Sequence, residues 1–277
     1  MSDPEYALTQ DDDEFQRLAR QAAAVEPFTE RVFRAAGIGH GMRVLDVGCG
    51  AGHVSMLVAR LVGDSGEVVG IDREALVLEH ARAQVRAAGL GNVSFVNDDF
   101  RTAELPGGAF DAVVGRYVLQ YQADPQAAIS VLARRLRSGG VMAFHEMDIP
   151  DDDRRRPAGP WPPSPLADAL VDAIFAVWRA TGTQLRMGVR LPSLYAAAGL
   201  RVDPLLHTQA MAGIGEGWAT AIVSLLRSME GVIREHGIAD YDALDLDTAV
   251  ERLLQDAPPP GPVGIGPLNI GAWATAP

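Results

Sequence analysis

The spacing of apolar residues along this 277-residue chain changes several times, and each change marks an element. Short apolar runs near 43–47, 67–71, 93–96, 111–115 and 140–146 have the length of buried strands. Between them the spacing turns helical near 52–62, 74–88 and 125–137. Such alternation predicts an α/β fold with a doubly wound parallel sheet, its ligand outside the carboxyl ends of the strands. Upstream, Phe15, Leu18, Ala22 and Val25, then Phe28, Val32 and Phe33, lie at helical spacing, and Pro27 predicts a division into two helices. Residues 148–165, rich in Pro, Asp and Arg, read as a loop. Ser164 and Pro165 then predict an N-cap and first turn, followed by a helix burying Leu166, Leu170, Ile174, Val177 and Trp178. A short helix over 191–199 stops at Gly199, and a strand covers 200–209. One long helix over 214–235 ends at Gly237, a shorter one lies near 242–256, and APPPGPVGIGP reads as a stiff connector.

The most informative local pattern is VLDVGCGAG at 44–52. An apolar strand ends in Asp46, and Gly48, Gly50 and Gly52 then alternate into a helix near 53–61. Glycine permits positive φ and lets a ligand lie on bare backbone, while the helix start offers free N–H groups. A second apolar run, VVGID, ends at Asp72, the separation at which a carboxylate grips a ribose. Together they indicate a nucleoside-containing cofactor. The dinucleotide pattern G-x-G-x-x-G fails, because His53 stands where its third glycine would be. Asp46, two residues before the first glycine, disfavours a phosphate and suits an ammonium group.

VLDVGCGAGHVSMLVA resembles the first motif of the class I S-adenosylmethionine-dependent methyltransferases. VVGIDRE, VSFVNDDF, LPGGAFDAVVGRYVLQY and VLARRLRSGGVMAFHEMD follow in that family's order, so the likeness covers residues 5–148. LNIGAWAT resembles the last antiparallel strand of the family's sheet. The resemblance implies a Rossmann-like seven-stranded sheet with a helical lid. It divides the chain into a lid (1–36), a cofactor-binding core (37–147), an insertion with lid helices (148–198) and the completion of the sheet with inserted helices (199–277). It implies S-adenosyl-L-methionine as cofactor and S-adenosyl-L-homocysteine as product. Asp46 then serves the methionine end directly or by fixing the glycine turn, with Gly48, Cys49, Gly50 and Gly52 beneath the ligand. Asp72 with neighbouring Arg73 falls at the ribose, and Asp98 falls at the adenine, its neighbour Asp99 being the other candidate. Phe100 flanks the adenine or joins the core, and Tyr6 and Gln21 match lid positions that close over the cofactor.

Arg116 follows the fourth strand and can meet the cofactor carboxylate or an acidic substrate. His145 and Glu146 end the fifth strand, where either could be a general base; successive strand residues face opposite sides, so only one faces a given side of the crevice. Tyr117, Tyr121, Trp178 and His207 are the substrate-pocket candidates. The expected enzyme is a methyltransferase acting on a small, apolar or aromatic molecule by O-, N- or C-methylation. Two rivals stay open: another reaction on the same fold, such as a cyclisation, and a non-catalytic cofactor-binding partner subunit.

Composition narrows the partners. A net charge of −12 disfavours nucleic acid and anionic membrane surfaces. No apolar run has the length of a membrane span, and the acidic start MSDPEYALTQDDDEF lacks signal-peptide regions, so a cytoplasmic location is expected. One cysteine excludes an internal disulfide, and the histidine spacing supports no metal site. A homodimer is compatible with the sequence.

Overall fold

The computed structural model describes residues 12–105, 107–149, 160–204, 207–238 and 241–277. Strands β1 (Arg43–Val47), β2 (Glu67–Asp72), β3 (Val93–Asn97), β4 (Phe110–Arg116) and β5 (Leu136–Asp148) run parallel. β6 (Arg201–Val202), β7 (His207–Ile214) and β8 (Val263–Thr275) complete the sheet, in the order β3-β2-β1-β4-β5-β8-β6, with β7 also paired to β8. β8 runs antiparallel to β5, as the resemblance implied.

Helices α2 (His53–Val62), α3 (Ala75–Ala87) and α4 (Pro125–Ala133) are the crossovers of the parallel half. α1 (Asp12–Ala35) precedes the sheet, α5 (Pro165–Ala180) and α6 (Met187–Ala197) follow β5, and α7 (Gly215–Ser228), α8 (Glu230–His236) and α9 (Leu246–Gln255) lie between β7 and β8. The parallel strands read as unbroken apolar runs because helices cover both faces. Alternation still sorts their side chains. Leu45, Val113, Met142 and Phe144 join the core beneath α4 and α6, while Val44, Ala112, Val114 and Ala143 join the core beneath α1 and α2. A third cluster, centred on Leu170, Ile174, Val177, Leu226 and Leu253, holds α5, α7 and α9 together. Two predicted caps form: Ser164 accepts from Ala167 N–H, and Gly237 ends α8 at φ +57°. Among the described residues no helix is long and apolar enough to cross a membrane.

Four expectations need correction. α1 runs unbroken through Pro27, because Ala22 and Val25 before it and Phe28, Val32 and Phe33 after it are all buried. The helix expected over 214–235 breaks at Met229. There Ser228 Oγ donates to the Leu225 carbonyl, and the turn brings Met229, Val232 and Ile233 into the third cluster. Among the described residues the strand expected over 200–209 is found as β6 and the longer β7, and the sheet has eight strands. β8 begins inside the expected connector because Val263, Gly264 and Ile265 pair with β7.

α1 crosses β8 at Gly271, where an added Cβ would lie 2.1 Å from Val32 Cγ2. Gly271→Ala is therefore expected to destabilise the protein by about 1–3 kcal/mol. Val32→Ala in the same chain should recover part of that loss. A double-mutant cycle in urea checks it; additive effects would mean that helix and strand do not meet here.

Candidate active site

β1 and β4 leave the sheet in adjacent positions, and a cavity of about 500 Å3 opens beside their carboxyl ends. Its floor is the turn after β1, where Gly48 and Gly50 hold φ +59° and +51°. A Cβ on Gly50 would meet nothing closer than 4.0 Å, so the cavity side of this turn is bare backbone. Asp72 ties the end of β2 to it: Oδ2 accepts the Gly50 N–H at 2.9 Å and Oδ1 accepts the Glu74 N–H at 3.1 Å. Each oxygen keeps a lone pair directed elsewhere, and the residue lines the cavity. Cys49, Arg73, Asp98, Phe100 and Arg116 line it too.

The adjacent acids separate by partner. Asp98 is exposed on the cavity, whereas Asp99 is held by a forked ion pair with Arg101 and does not line it. Asp46 does not line it either. It is buried and accepts the Ser55 hydroxyl at 2.5 Å, so it fixes the start of α2. Burial pushes its pKa up to about 7 against that hydrogen bond, and its Oδ1 has no partner. Gly52, at φ +82°, lies behind the turn, where a Cβ would sit 3.1 Å from Ala81 Cβ. Gln21 lines the cavity from α1, and Tyr6 lies outside the described residues.

His145 and Glu146 are fully buried, and neither lines the cavity. Glu146 Oε1 accepts the N–H groups of Val118 and Leu119 at 2.9 and 2.8 Å, capping the short turn after β4. His145 contacts Thr29 Oγ1 at 3.0 Å through Nδ1 and Asn269 Oδ1 at 2.8 Å through Nε2. Burial pushes Glu146 up to about 7 and His145 down to about 3. Tyr117 and Tyr121 line the cavity, while His207 lies against Trp273 outside it.

Gln120, which follows Arg116 and Tyr117 in the sequence and is expected from that place beside Tyr121 at the pocket, lines the cavity, whereas sequence reasoning did not single out His53 or Gln122. His53 is pushed down to about 4 by burial, with Arg116 adding to the shift. Gln120 Nε2 and Gln122 Oε1 are buried without a partner. Two polar residues inside the apolar run VLQYQ were the available signal.

A second chamber, about 1040 Å3, adjoins the first. Both are bordered by Arg17 and Gln21 of α1, Trp178 of α5, Leu225 of α7 and Pro267 of β8. Ile174, Phe175, Trp218 and Ile222 make its wall largely apolar. Among the described residues no group of three His, Cys, Asp or Glu could hold a metal ion.

The burial of Glu146 has a testable sign. The fold retains a proton there between pH 4.5 and about 7, where the unfolded chain releases it. Stability from this site is therefore lost as pH rises through that window. Glu146→Gln should gain on the parent between pH 5 and 8 by on the order of 1 kcal/mol or more. Thermal melts at both pH values check it; a pH-independent gap would show Glu146 ionised throughout.

A family model described as a methyltransferase domain matches residues 38–176. Aklanonic acid methyltransferase DauC of Streptomyces sp. (strain C5) is 38% identical over 104 residues, 38% of this chain and 47% of that protein. The ubiquinone/menaquinone biosynthesis C-methyltransferase UbiE of Shewanella halifaxensis is 32% identical over 123 residues, 44% of this chain and 49% of that protein. The chain thus spans about half the length of these curated relatives. The solved YcgJ protein of Bacillus subtilis superposes with a TM-score of 0.59 at 18% identity, over 88% of this chain and 95% of that one, a likeness of fold.

Proposed function

We propose, for a chain that belongs to the S-adenosylmethionine-dependent methyltransferase family, that it transfers the methyl group of S-adenosyl-L-methionine to a bulky, largely apolar small molecule. The residues fit that cofactor. The open backbone at Gly50, the free lone pairs of Asp72 and the exposed carboxylate of Asp98 suit an aminonucleoside rather than a phosphate. Arg116, a half-buried guanidinium on the same cavity, suits the carboxylate of the methionine part. When bound, the cofactor supplies an electrophilic sulfonium methyl. The chain orients it along the glycine turn and excludes water with α1 and α5.

The observation that carries the substrate reading is the second chamber. It is larger than the first, walled by aromatic and aliphatic side chains, and shares a border with it. An acceptor held there presents its nucleophile across that border, so proximity and alignment supply most of the rate enhancement. The relatives named for aklanonic acid and for ubiquinone and menaquinone support an acceptor built on rings.

No neutral-pH base faces the cavity from β5. His145 and Glu146 are withdrawn, His53 is a weak base at about 4, and the Tyr117 hydroxyl is donated to Asn269. The β5 pair thus supplies no base, which favours a carbon, a neutral amine or an oxygen acidic enough to ionise unaided as acceptor; Asp168, Asp172 and Glu216 border the second chamber instead. Incubation with S-adenosylmethionine and a panel of hydroxylated naphthoquinones and anthraquinones tests this. S-adenosylhomocysteine release with matching methylated product is expected. Conversion of the acceptor without that release would favour a cyclase-type reaction.

Two variants separate the chambers. Asp72→Ala should weaken S-adenosylhomocysteine binding about ten-fold or more in calorimetry, since charge-assisted hydrogen bonds of about 1.5–3 kcal/mol are lost. Ala221→Trp adds bulk from an exposed position of α7 on the second chamber. It should leave S-adenosylhomocysteine affinity within about two-fold while lowering turnover of a bulky acceptor by more than about ten-fold. Unchanged turnover would place the acceptor elsewhere.

A further inference from the structure

A chain of polar side chains, buried at Thr29, His145 and Asn269, joins four elements beside the cofactor cavity. Arg116, at the end of β4, donates from Nη1 to Thr29 Oγ1 of α1 at 3.2 Å. Thr29 Oγ1 lies 3.0 Å from His145 Nδ1 on β5, and His145 Nε2 lies 2.8 Å from Asn269 Oδ1 on β8. The same Asn269 oxygen accepts the hydroxyl of Tyr117, the residue after Arg116. The chain therefore begins and ends on two consecutive residues that both line the cavity.

The directions of these bonds follow from proton counting. A neutral imidazole carries one N–H and one lone pair. Asn269 Oδ1 is an acceptor, so the hydrogen of His145 sits on Nε2 and the lone pair on Nδ1. Thr29 has one hydroxyl hydrogen and two nearby acceptors, the Val25 carbonyl at 3.1 Å and His145 Nδ1. With Nδ1 as lone pair, that hydrogen goes to His145 and the Thr29 oxygen receives Arg116. Each bond of the relay then has a donor and an acceptor, with the imidazole uncharged, and the Val25 carbonyl gives up the Thr29 hydrogen to His145. Burial favours that form, and the nearby Arg116 cation opposes protonation further.

Tyr117 shows why such a relay is needed. It is not glycine, yet it holds φ +58°, a conformation of order 1–3 kcal/mol above the ordinary basins. Its N–H donates to the His145 carbonyl at 2.9 Å, its ring packs edge-on to His145 at 4.9 Å, and its hydroxyl is fixed by Asn269. The ring also packs against the cluster of α5, α7 and α9, of which α5 and α7 wall the second chamber.

We propose that His145 and Asn269 are positioning residues, with Thr29, for methyl transfer: the relay fixes the Arg116 guanidinium on the cofactor and the Tyr117 ring at the acceptor side. The relay takes no proton from the acceptor. This rests on the reading of Arg116 as cofactor ligand given above, so that reading is tested beside it.

Calorimetric titration with S-adenosylhomocysteine on the full chain compares Arg116→Met, Thr29→Val and Thr29→Ser. Arg116→Met should lose about ten-fold or more in affinity. Thr29→Val keeps the shape of the side chain but removes the hydroxyl, and should lose several-fold, while Thr29→Ser restores parent affinity within about two-fold. Thr29→Val binding like the parent while Arg116→Met binds weakly overturns the relay alone. Parent-like binding by Arg116→Met overturns the cofactor reading of Arg116, and the relay with it. Nitrogen-15 spectra of the His145 ring in the unsubstituted protein give a second readout. They should show one neutral tautomer, hydrogen on Nε2, unchanged from pH 8 to pH 5. A ring that gains a proton in that range overturns the proposal.

Discussion

The carboxylate of Asp72 holds the backbone N–H of Gly50, and that tie fixes the turn after β1 to the end of β2 at the floor of the cavity. β1 and β2 are neighbours, so their ends emerge side by side, and the turn after β1 must pass over the end of β2. A turn with positive φ at Gly48 and Gly50 has N–H groups that its own helix cannot satisfy. Asp72 satisfies one of them and presents its remaining lone pairs to the cavity. A single side chain thus shapes the binding surface and forms part of it. The same economy recurs at Asp46, whose bond to Ser55 locks the start of α2 behind the turn.

Buried ionisable groups behind the cavity show how the sheet edge divides support from contact. Glu146 caps the turn after β4, and His145 bridges α1 to β8, and neither lines the cavity. Their titration slopes oppose one another. The raised Glu146 costs stability as pH rises towards about 7, and the lowered His145 costs stability as pH falls below its ordinary value of 6.5. Both groups are kept neutral by burial, the charge state in which each is cheapest to hold in the interior.

What was legible in the sequence was local. The glycine turn, Asp72 and Asp98 lie at short, fixed offsets from strands whose apolar runs are unambiguous, and those residues line the cavity. The parallel half of the sheet was legible for the same reason. His145 and Glu146 were attractive as bases because polar residues at a strand end usually face the crevice. Their burial depends on α1 and on the turn after β4, contacts that no spacing within β5 reveals. Thr29 and Asn269 were hidden in the same way: a threonine inside an amphipathic helix and an asparagine inside an apolar strand acquire partners only when elements more than 100 residues apart meet. The break at Met229 was likewise decided by packing.

The second chamber shows how such long-range contacts still leave a trace in the chain. Gly213 of β7 and Gly264 of β8 are paired across the ladder, and both lack the side chain that would fill the space above them. The Trp218 residue of α7 occupies that space: a Cβ on Gly264 would lie 1.9 Å from its indole, and one on Gly213 would lie 2.9 Å from its Cβ. Two glycines in register thus seat one large aromatic residue, which reaches the sheet closely enough to become a fixed wall. α7 is also bound to α5 and α9 through Val223, Leu226, Ala249 and Leu253. The wall is therefore held from both sides, by the ribbon beneath the indole and by the helical core behind it. An apolar chamber of this size keeps its shape only under such restraint, because unsupported side chains would otherwise relax into it. The paired glycines thus set the volume of this chamber as much as the aromatic side chains that line it.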